Sequence, residues 1–124
     1  MQQILVIEDE IHIQRLIKLI LEKQGFQVTS AHTGELGLKQ LQDKNLPQLI
    51  ILDIMMPGIG GLAVLKAIRD SSQVRGIPVV LLTALAQENI VIQGIKLGAK
   101  DYIRKPFHPG DFVKRLQKHI AQVA

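Results

Sequence analysis

The chain has 124 residues, a formal net charge of +4 and no cysteine. This length fits one domain, residues 1–124, and the lack of cysteine excludes thiol catalysis, zinc–thiolate sites and disulfides. No apolar stretch reaches the roughly 20 residues that cross a bilayer, and the first apolar run follows residues 1–3 directly, which leaves no room for a signal peptide. We therefore expect a cytoplasmic protein with no membrane partner. The most basic stretch carries no aromatic residues, which favours a solvated helix face over direct nucleic-acid binding; it consists of Lys114, Arg115, Lys118 and His119.

Apolar and turn residues divide the first half of the chain into alternating strands and helices. Residues 4–7 form an unbroken apolar run, and a helix that ends at Gly25 follows it. The predicted apolar face of that helix has the spacing i, i+3, i+4, i+7 and i+8: Ile13, Leu16, Ile17, Ile20 and Leu21. Residues 26–30 alternate like a half-exposed edge strand, and residues 34–44 predict a weaker helix that closes before Pro47.

The second half repeats the pattern three times. The third strand covers residues 49–52 and the fourth residues 79–82, while a turn-rich segment with Gly58, Gly60 and Gly61 leads into the helix between them. A fourth helix spans residues 88–97, a short fifth strand residues 101–103, and a last helix presents an apolar face of Phe112, Val113, Leu116 and Ile120. Unbroken apolar runs are typical of parallel strands covered on both faces. We therefore predict an α/β, flavodoxin-like fold with five helices and a doubly wound five-stranded parallel sheet in the order 2-1-3-4-5.

Acidic side chains follow two of these strands. Glu8 and Asp9 come directly after the first strand and Asp53 after the third, and these strands are neighbours in the predicted order. Carboxylates about 4 Å apart repel each other by roughly 4 kcal/mol per pair at an effective dielectric constant near 20, so a cluster of three calls for a cation. Oxygen ligands suit Mg²⁺ better than zinc. Taken alone, Asp9 could also be an ordinary helix cap.

A hydroxyl and an ammonium group follow the remaining strands. Thr83 follows the fourth strand and Lys105 follows the fifth, so both should reach the same edge of the sheet. A lysine there can pair with a phosphoryl oxygen as a point charge, although an ordinary structural ion pair is the alternative. Thr83 has the alternative role of a helix cap.

Four motifs together carry a family resemblance: residues 8–9, 52–58, 83–84 and 98–107. At these spacings the chain closely resembles, over essentially its whole length, the receiver domains of two-component response regulators. The resemblance implies that Asp53 accepts a phosphoryl group from a sensor histidine kinase, a histidine phosphotransfer protein or a small donor such as acetyl phosphate. It also implies a signalling phosphoacceptor with at most slow self-phosphorylation and self-dephosphorylation, not a true enzyme.

The resemblance assigns roles around Asp53. Asp9, Asp53 and the backbone carbonyl of Met55 would bind Mg²⁺, and Glu8 would act through a water molecule. The phosphoryl group would contact Thr83, Lys105 and the backbone near Ala84. Thr83 and Tyr102 would switch the surface formed by the fourth helix, fifth strand and fifth helix, and the bond before Pro106 would be cis.

Signalling requires a further partner. The output would be a domain of the same chain or a separate effector protein. A homodimer that forms on phosphorylation is a further alternative. Ile90, Val91 and Ile92 stand around the positions where many winged-helix regulators carry an arginine of their receiver dimer, which puts that form of dimer in doubt.

Two alternative functions use similar elements. A phosphatase of the haloacid-dehalogenase type normally has a second aspartate two residues after its nucleophile, a place that Met55 occupies here. A flavodoxin-like cofactor carrier would need a Ser/Thr/Gly phosphate loop after the first strand. The glycines after the third strand also lack the order of a nucleotide loop and favour a mobile turn.

Overall fold

The computed structural model describes residues 2–56, 58–84 and 88–120, so Pro57 of the motif that follows the third strand lies outside the described residues. The strands are β1 Gln3–Ile7, β2 Gln27–Ala31, β3 Leu49–Asp53, β4 Val79–Thr83 and β5 Asp101–Arg104. The helices are α1 Ile11–Lys23, α2 Gly34–Gln40, α3 Gly61–Asp70, α4 Glu88–Lys96 and α5 Pro109–Ile120. None of these helices has the length and apolar character needed to cross a bilayer.

The five strands form one parallel sheet in the order β2-β1-β3-β4-β5, which confirms the predicted topology. Every residue of β3 and β4 is buried, because helices cover both faces of the sheet. Alternate strand residues supply two apolar layers: α1 and α5 pack on one face, and α2 and α3 on the other. In the register, Ile7 lies opposite Leu52 and Asp53 opposite Leu82, so the residues that follow β1 and β3 meet at one edge.

The buried face of α1 differs from the predicted one. Ile17, Ile20 and Leu21 are buried as expected, but Leu16 is 39% exposed, and the position that turns inward is Gln14. Residues 14, 17 and 21 have the spacing i, i+3 and i+7, so they form one stripe, and Leu16 lies about 100° around the helix from Ile17. The prediction for Leu16 was therefore wrong.

The second helix is shorter than predicted, since it ends at Gln40 and not at residue 44. Leu41 is its C-cap and turns its side chain into the core, where it is buried. Beyond this point no apolar side chain is available to hold another turn, and the Asp43 carboxylate accepts a hydrogen bond from the backbone N–H of Lys44 at 2.6 Å. Such local bonds compete with the helical pattern.

Candidate functional site

Three carboxylates meet at the carboxyl edge of the sheet. Glu8 follows β1 and is fully buried, Asp53 ends β3 and is 4% exposed, and Asp9 is exposed to solvent. One carboxylate oxygen of each lies within 4.8 Å of those of the other two. The strand register thus brings together the acids that the sequence placed after neighbouring strands. An all-oxygen cluster of this size has the donors of a Mg²⁺ site.

Lys105 reaches the same cluster from the loop after β5. Its Nζ lies 2.9 Å from Glu8 Oε1 and 3.3 Å from Asp53 Oδ2. The Lys105–Pro106 peptide bond is cis, and the Lys105 backbone N–H donates to the carbonyl of Thr83 at 2.7 Å. The ammonium group therefore lies against both buried carboxylates.

The surroundings of the cluster shift the pKa of Glu8 and of Lys105. Burial, together with the hydrogen bond and charge of Asp53, raises the pKa of Glu8 to about 8, although Lys105 and the N–H of Glu10 oppose the shift. Burial alone would lower the pKa of Lys105, but its contacts with Glu8 and Asp53 outweigh that effect and raise it. A proton on Glu8 removes one negative charge from the cluster that Lys105 contacts. A divalent ion could take the place of that proton.

Backbone contacts hold Asp53 in position. Its Oδ1 accepts a hydrogen bond from the Met55 N–H at 3.0 Å, while its Oδ2 faces Lys105. The first residue of α3, Gly61, lies so close that a Cβ atom there would be 2.5 Å from the Asp53 carbonyl oxygen and from Ile54 Cα. A side chain at this position would push α3 away from the loop that carries Asp53.

Thr83 and Tyr102 lie on β4 and β5 and do not belong to the acid cluster. Thr83 ends β4, is buried, and donates from its Oγ1 to the carbonyl of Ala84 at 3.1 Å. The alternative role of Thr83 as a helix cap depends on residues 85–87, which lie outside the described residues. Tyr102 is 37% exposed and, together with Thr83, lines a cavity of about 510 Å³ between α4 and β5.

The fifth helix contacts Tyr102 from the other side. Arg115 donates to the Tyr102 carbonyl at 2.7 Å, and its guanidinium carbon lies 5.8 Å from the centre of the ring. Asp101 pairs with Arg115 at 3.6 Å and with His119 at 3.2 Å. The basic stretch is therefore only in part the solvated face that the sequence predicted, because these two residues tie α5 to β5.

Gln14, for which no role was predicted, supports the site from α1. Its side-chain amide is buried and donates to the backbone carbonyl of Glu8 at 2.6 Å. A polar residue in the apolar stripe of a helix is a detectable signal, once the stripe is assigned to residues 14, 17 and 21. The alternative for Asp9 is also resolved: the N-cap of α1 is Glu10, whose N–H donates to Glu8 Oε2 at 3.1 Å.

Comparison with known proteins identifies the family. The family model of the response regulator receiver domain matches residues 4–117. The chain belongs to this family. It is 38% identical over 123 residues to the phosphate regulon transcriptional regulatory protein PhoB of Escherichia coli strain K12, a match that covers 99% of this chain and 53% of PhoB. The chain thus spans about half the length of the curated relatives that it matches.

Solved structures show the same receiver fold. The chemotaxis protein CheY4 of Vibrio cholerae is 30% identical with a TM-score of 0.89, and the match covers 96% of this chain and 98% of CheY4. The receiver domain of the sensor histidine kinase PA1611 of Pseudomonas aeruginosa PAO1 is 27% identical with a TM-score of 0.88, and 98% of each chain is covered. That structure holds a magnesium ion coordinated in its active site cleft. Family membership makes this chain a phosphoacceptor signalling domain of a two-component system, which excludes the dehalogenase-type phosphatase and the flavodoxin-like carrier.

Proposed function

We propose that this receiver domain, over residues 1–124, takes a phosphoryl group onto Asp53. The observation that carries the proposal is the position of the Asp53 carboxylate, which is buried between Lys105 Nζ and the Met55 N–H and lies beside two further acids. No other aspartate of the described residues occupies such a setting, since Asp53 is the single aspartate among their buried polar side chains.

The acid cluster fits Mg²⁺. Three carboxylates face one lysine, so the site has an excess of negative charge and oxygen donors only. Asp9, Asp53 and the Met55 carbonyl would hold the ion, and Glu8 would act through a bound water molecule. When bound, the ion would neutralise charge on the phosphoryl group.

The residues of this chain can perform the transfer without a general base. An Asp53 carboxylate oxygen attacks phosphorus in line, a new O–P bond forms, and the bond from phosphorus to the donor nitrogen or oxygen breaks with its electron pair leaving on the donor. A carboxylate has no proton to lose in this step. Lys105 and backbone N–H groups at Met55 and Ala84 would bind the equatorial oxygens. Because Met55 stands where a phosphatase has its second acid, hydrolysis should be slow and the phosphorylated state should persist.

The switch would operate through the cavity between α4 and β5. The Thr83 hydroxyl would turn from the Ala84 carbonyl to the phosphoryl group, and the Tyr102 ring would move into the space beside it. Both residues line this cavity, which supports the coupling. A partner that binds one arrangement of α4, β5 and α5 better than the other would shift the equilibrium between them.

The expected partners come from membership of the receiver family. A sensor histidine kinase or a histidine phosphotransfer protein would supply the phosphoryl group. The output would be a further domain of the same chain or a separate effector, and phosphorylation could also drive a homodimer. The apolar Val91 and Ile92 on α4 argue against an arginine-based dimer contact at these positions.

Incubation with acetyl phosphate and Mg²⁺ tests the assignment. Intact mass should show one base-labile phosphate on the parent protein and none on Asp53→Asn. The matched control is Asp70→Asn, which removes an exposed carboxylate on α3 and should leave phosphorylation unchanged. If Asp53→Asn acquired the phosphate as readily as the parent, the proposal would be wrong.

A further inference from the structure

A single guanidinium group joins three separate segments on the side of the sheet that carries α3 and α4. Arg69, in the last turn of α3, donates from Nη2 to the carbonyl of Gly98 at 2.8 Å and from Nη1 to the carbonyls of Arg75 and Ile77. Arg75 and Ile77 lie in the connection to β4, and Gly98 lies in the turn that follows α4. One side chain thus links the end of α3, the entry to β4 and the end of α4.

The turn after α4 is shaped around this side chain. Gly98 has a φ of +106°, and a Cβ atom there would lie 2.6 Å from Arg69 Nε and 3.1 Å from Arg69 Cδ. The Nε atom is buried and has no hydrogen-bond partner among the described residues, and burial lowers the pKa of Arg69. The guanidinium therefore lies directly against the turn, where Nη1 and Nη2 donate to backbone carbonyls.

Besides the contact with Arg69, the fourth helix packs on the core through a few apolar side chains, and Ile90 and, just past its end, Leu97 are partly buried there. Within α4 only Val91 and Gly94 are buried, and Gly94 packs on the Leu81 side chain in the middle of the sheet face. The side of α4 towards β5 borders the cavity of about 510 Å³ that Thr83 and Tyr102 also line. The cavity extends along α4 from Glu88 to Lys96, so this side of the helix has room to move, whereas the turn at Gly98 is hydrogen-bonded to Arg69.

We propose that Arg69 pins the C-terminal end of α4, so that the response of α4 to phosphorylation is a pivot about Gly98. The end beside Thr83 moves and the end at Gly98 stays in place. The movement of α4 rests on the proposed phosphorylation at Asp53. The pin, which is the set of hydrogen bonds that Arg69 makes, exists in the unphosphorylated protein. Arg69 contacts no group of the acid cluster and is a positioning residue.

Amide hydrogen exchange resolved by residue tests both halves. The reporters are the N–H groups of Leu97, Gly98 and Ala99, which donate to the carbonyls of Gln93, Ile95 and Gly94 at 2.9, 3.0 and 3.0 Å. In unphosphorylated Arg69→Met, which keeps an unbranched apolar stem but no donor, these three amides should exchange roughly tenfold faster than in the parent. Lys66→Met is the matched control: it lies on the same helix in an exposed pair with Asp70 and should leave the three amides unchanged.

Beryllium fluoride with Mg²⁺, an analogue of the phosphoryl group, supplies the second comparison. In the parent, exchange should change across residues 88–92 and stay within twofold at the three reporters; in Arg69→Met, both ends should respond. The pin is refuted if Arg69→Met leaves the reporters within twofold of the parent, and the pivot is refuted if both ends of α4 respond equally in the parent. Failure of the analogue to bind would count against the proposed function and leave the first comparison standing. If Arg69→Met does not fold, Arg69→Lys, with one donor group for three carbonyls, should still accelerate the reporters at least threefold.

Discussion

Binding of Mg²⁺ should release a proton from Glu8, and the amount follows from the site. With its pKa at about 8, the buried carboxyl of Glu8 is about 90% protonated at pH 7 in the metal-free protein. A divalent ion favours the carboxylate, so each ion bound at pH 7 should displace about 0.9 proton. For the same reason the apparent affinity for Mg²⁺ should rise roughly 50-fold between pH 6 and pH 8 and then level off.

Calorimetric titration in buffers of different ionisation enthalpy measures this proton release directly. Glu8→Gln should release almost none and should bind Mg²⁺ with little pH dependence over the same range. Glu10→Gln, which changes an exposed acid two residues away, should behave like the parent. Proton release below about 0.2 per ion at pH 7 in the parent would show that Glu8 is already ionised, and the account of the site electrostatics would then be wrong.

The raised pKa of Glu8 also makes the stability of the metal-free protein depend on pH. Between pH 5 and pH 8 the folded state holds the Glu8 proton and the unfolded state does not, because the folded pKa is raised. The stability that this group contributes is therefore complete at low pH and is lost as the pH rises through about 8, with a slope of up to about 1.4 kcal/mol per pH unit. Urea denaturation with and without Mg²⁺ should show a shallower slope when the ion is present.

Three further variants test the supports of the site. Gln14→Leu should destabilise the protein by about 1–3 kcal/mol, because it leaves the buried carbonyl of Glu8 without its amide donor; a loss below 0.5 kcal/mol, on the order of a typical surface substitution, would refute this role. Gly61→Ala should cost about 2 kcal/mol or more through its clash with the Asp53 loop, whereas Gly60→Ala, with open space at its Cβ, should cost less than about 1 kcal/mol. Equal losses in urea denaturation would contradict the close approach of α3. Tyr102→Ala should keep the phosphorylated fraction within about twofold of the parent and reduce the exchange response of α4 to beryllium fluoride, since the ring lines the cavity and not the acid cluster; an undiminished response would remove Tyr102 from the switch.

Short sequence patterns were enough to predict the strands of the sheet and the edge at which their ends meet. Unbroken apolar runs mark strands that are covered on both faces, and parallel strands place whatever follows them at one edge. Glu8 and Asp53 are 45 positions apart in the chain, yet their meeting needs only the neighbouring positions of β1 and β3. The site residues could therefore be brought together from the sequence without any knowledge of side-chain contacts.

The errors and omissions share a different cause. The exposure of Leu16 and the burial of Gln14 depend on how far α1 is rotated against the sheet, and a hydrogen bond to Glu8 decides that rotation in favour of a polar residue. The early end of α2 depends on Leu41 turning into the core. These features arise from individual contacts after the elements have docked, and the period of the apolar pattern does not report them.

Arg69 illustrates the limit most clearly, because its partner Gly98 lies 29 positions further along the chain. In sequence, Arg69 reads as one more charged residue at the end of an amphipathic helix, and Gly98 as an ordinary helix stop. Only the docking of α3 against the turn after α4 shows that the glycine is required twice, once for its positive φ and once because the guanidinium occupies the space of a side chain. The residues at the strand ends carry the chemistry of a receiver site, and the order of the strands determines which of these residues are neighbours. The proposed response of α4 would depend on contacts such as this one, so proteins with the same acid cluster would differ in how α4 moves.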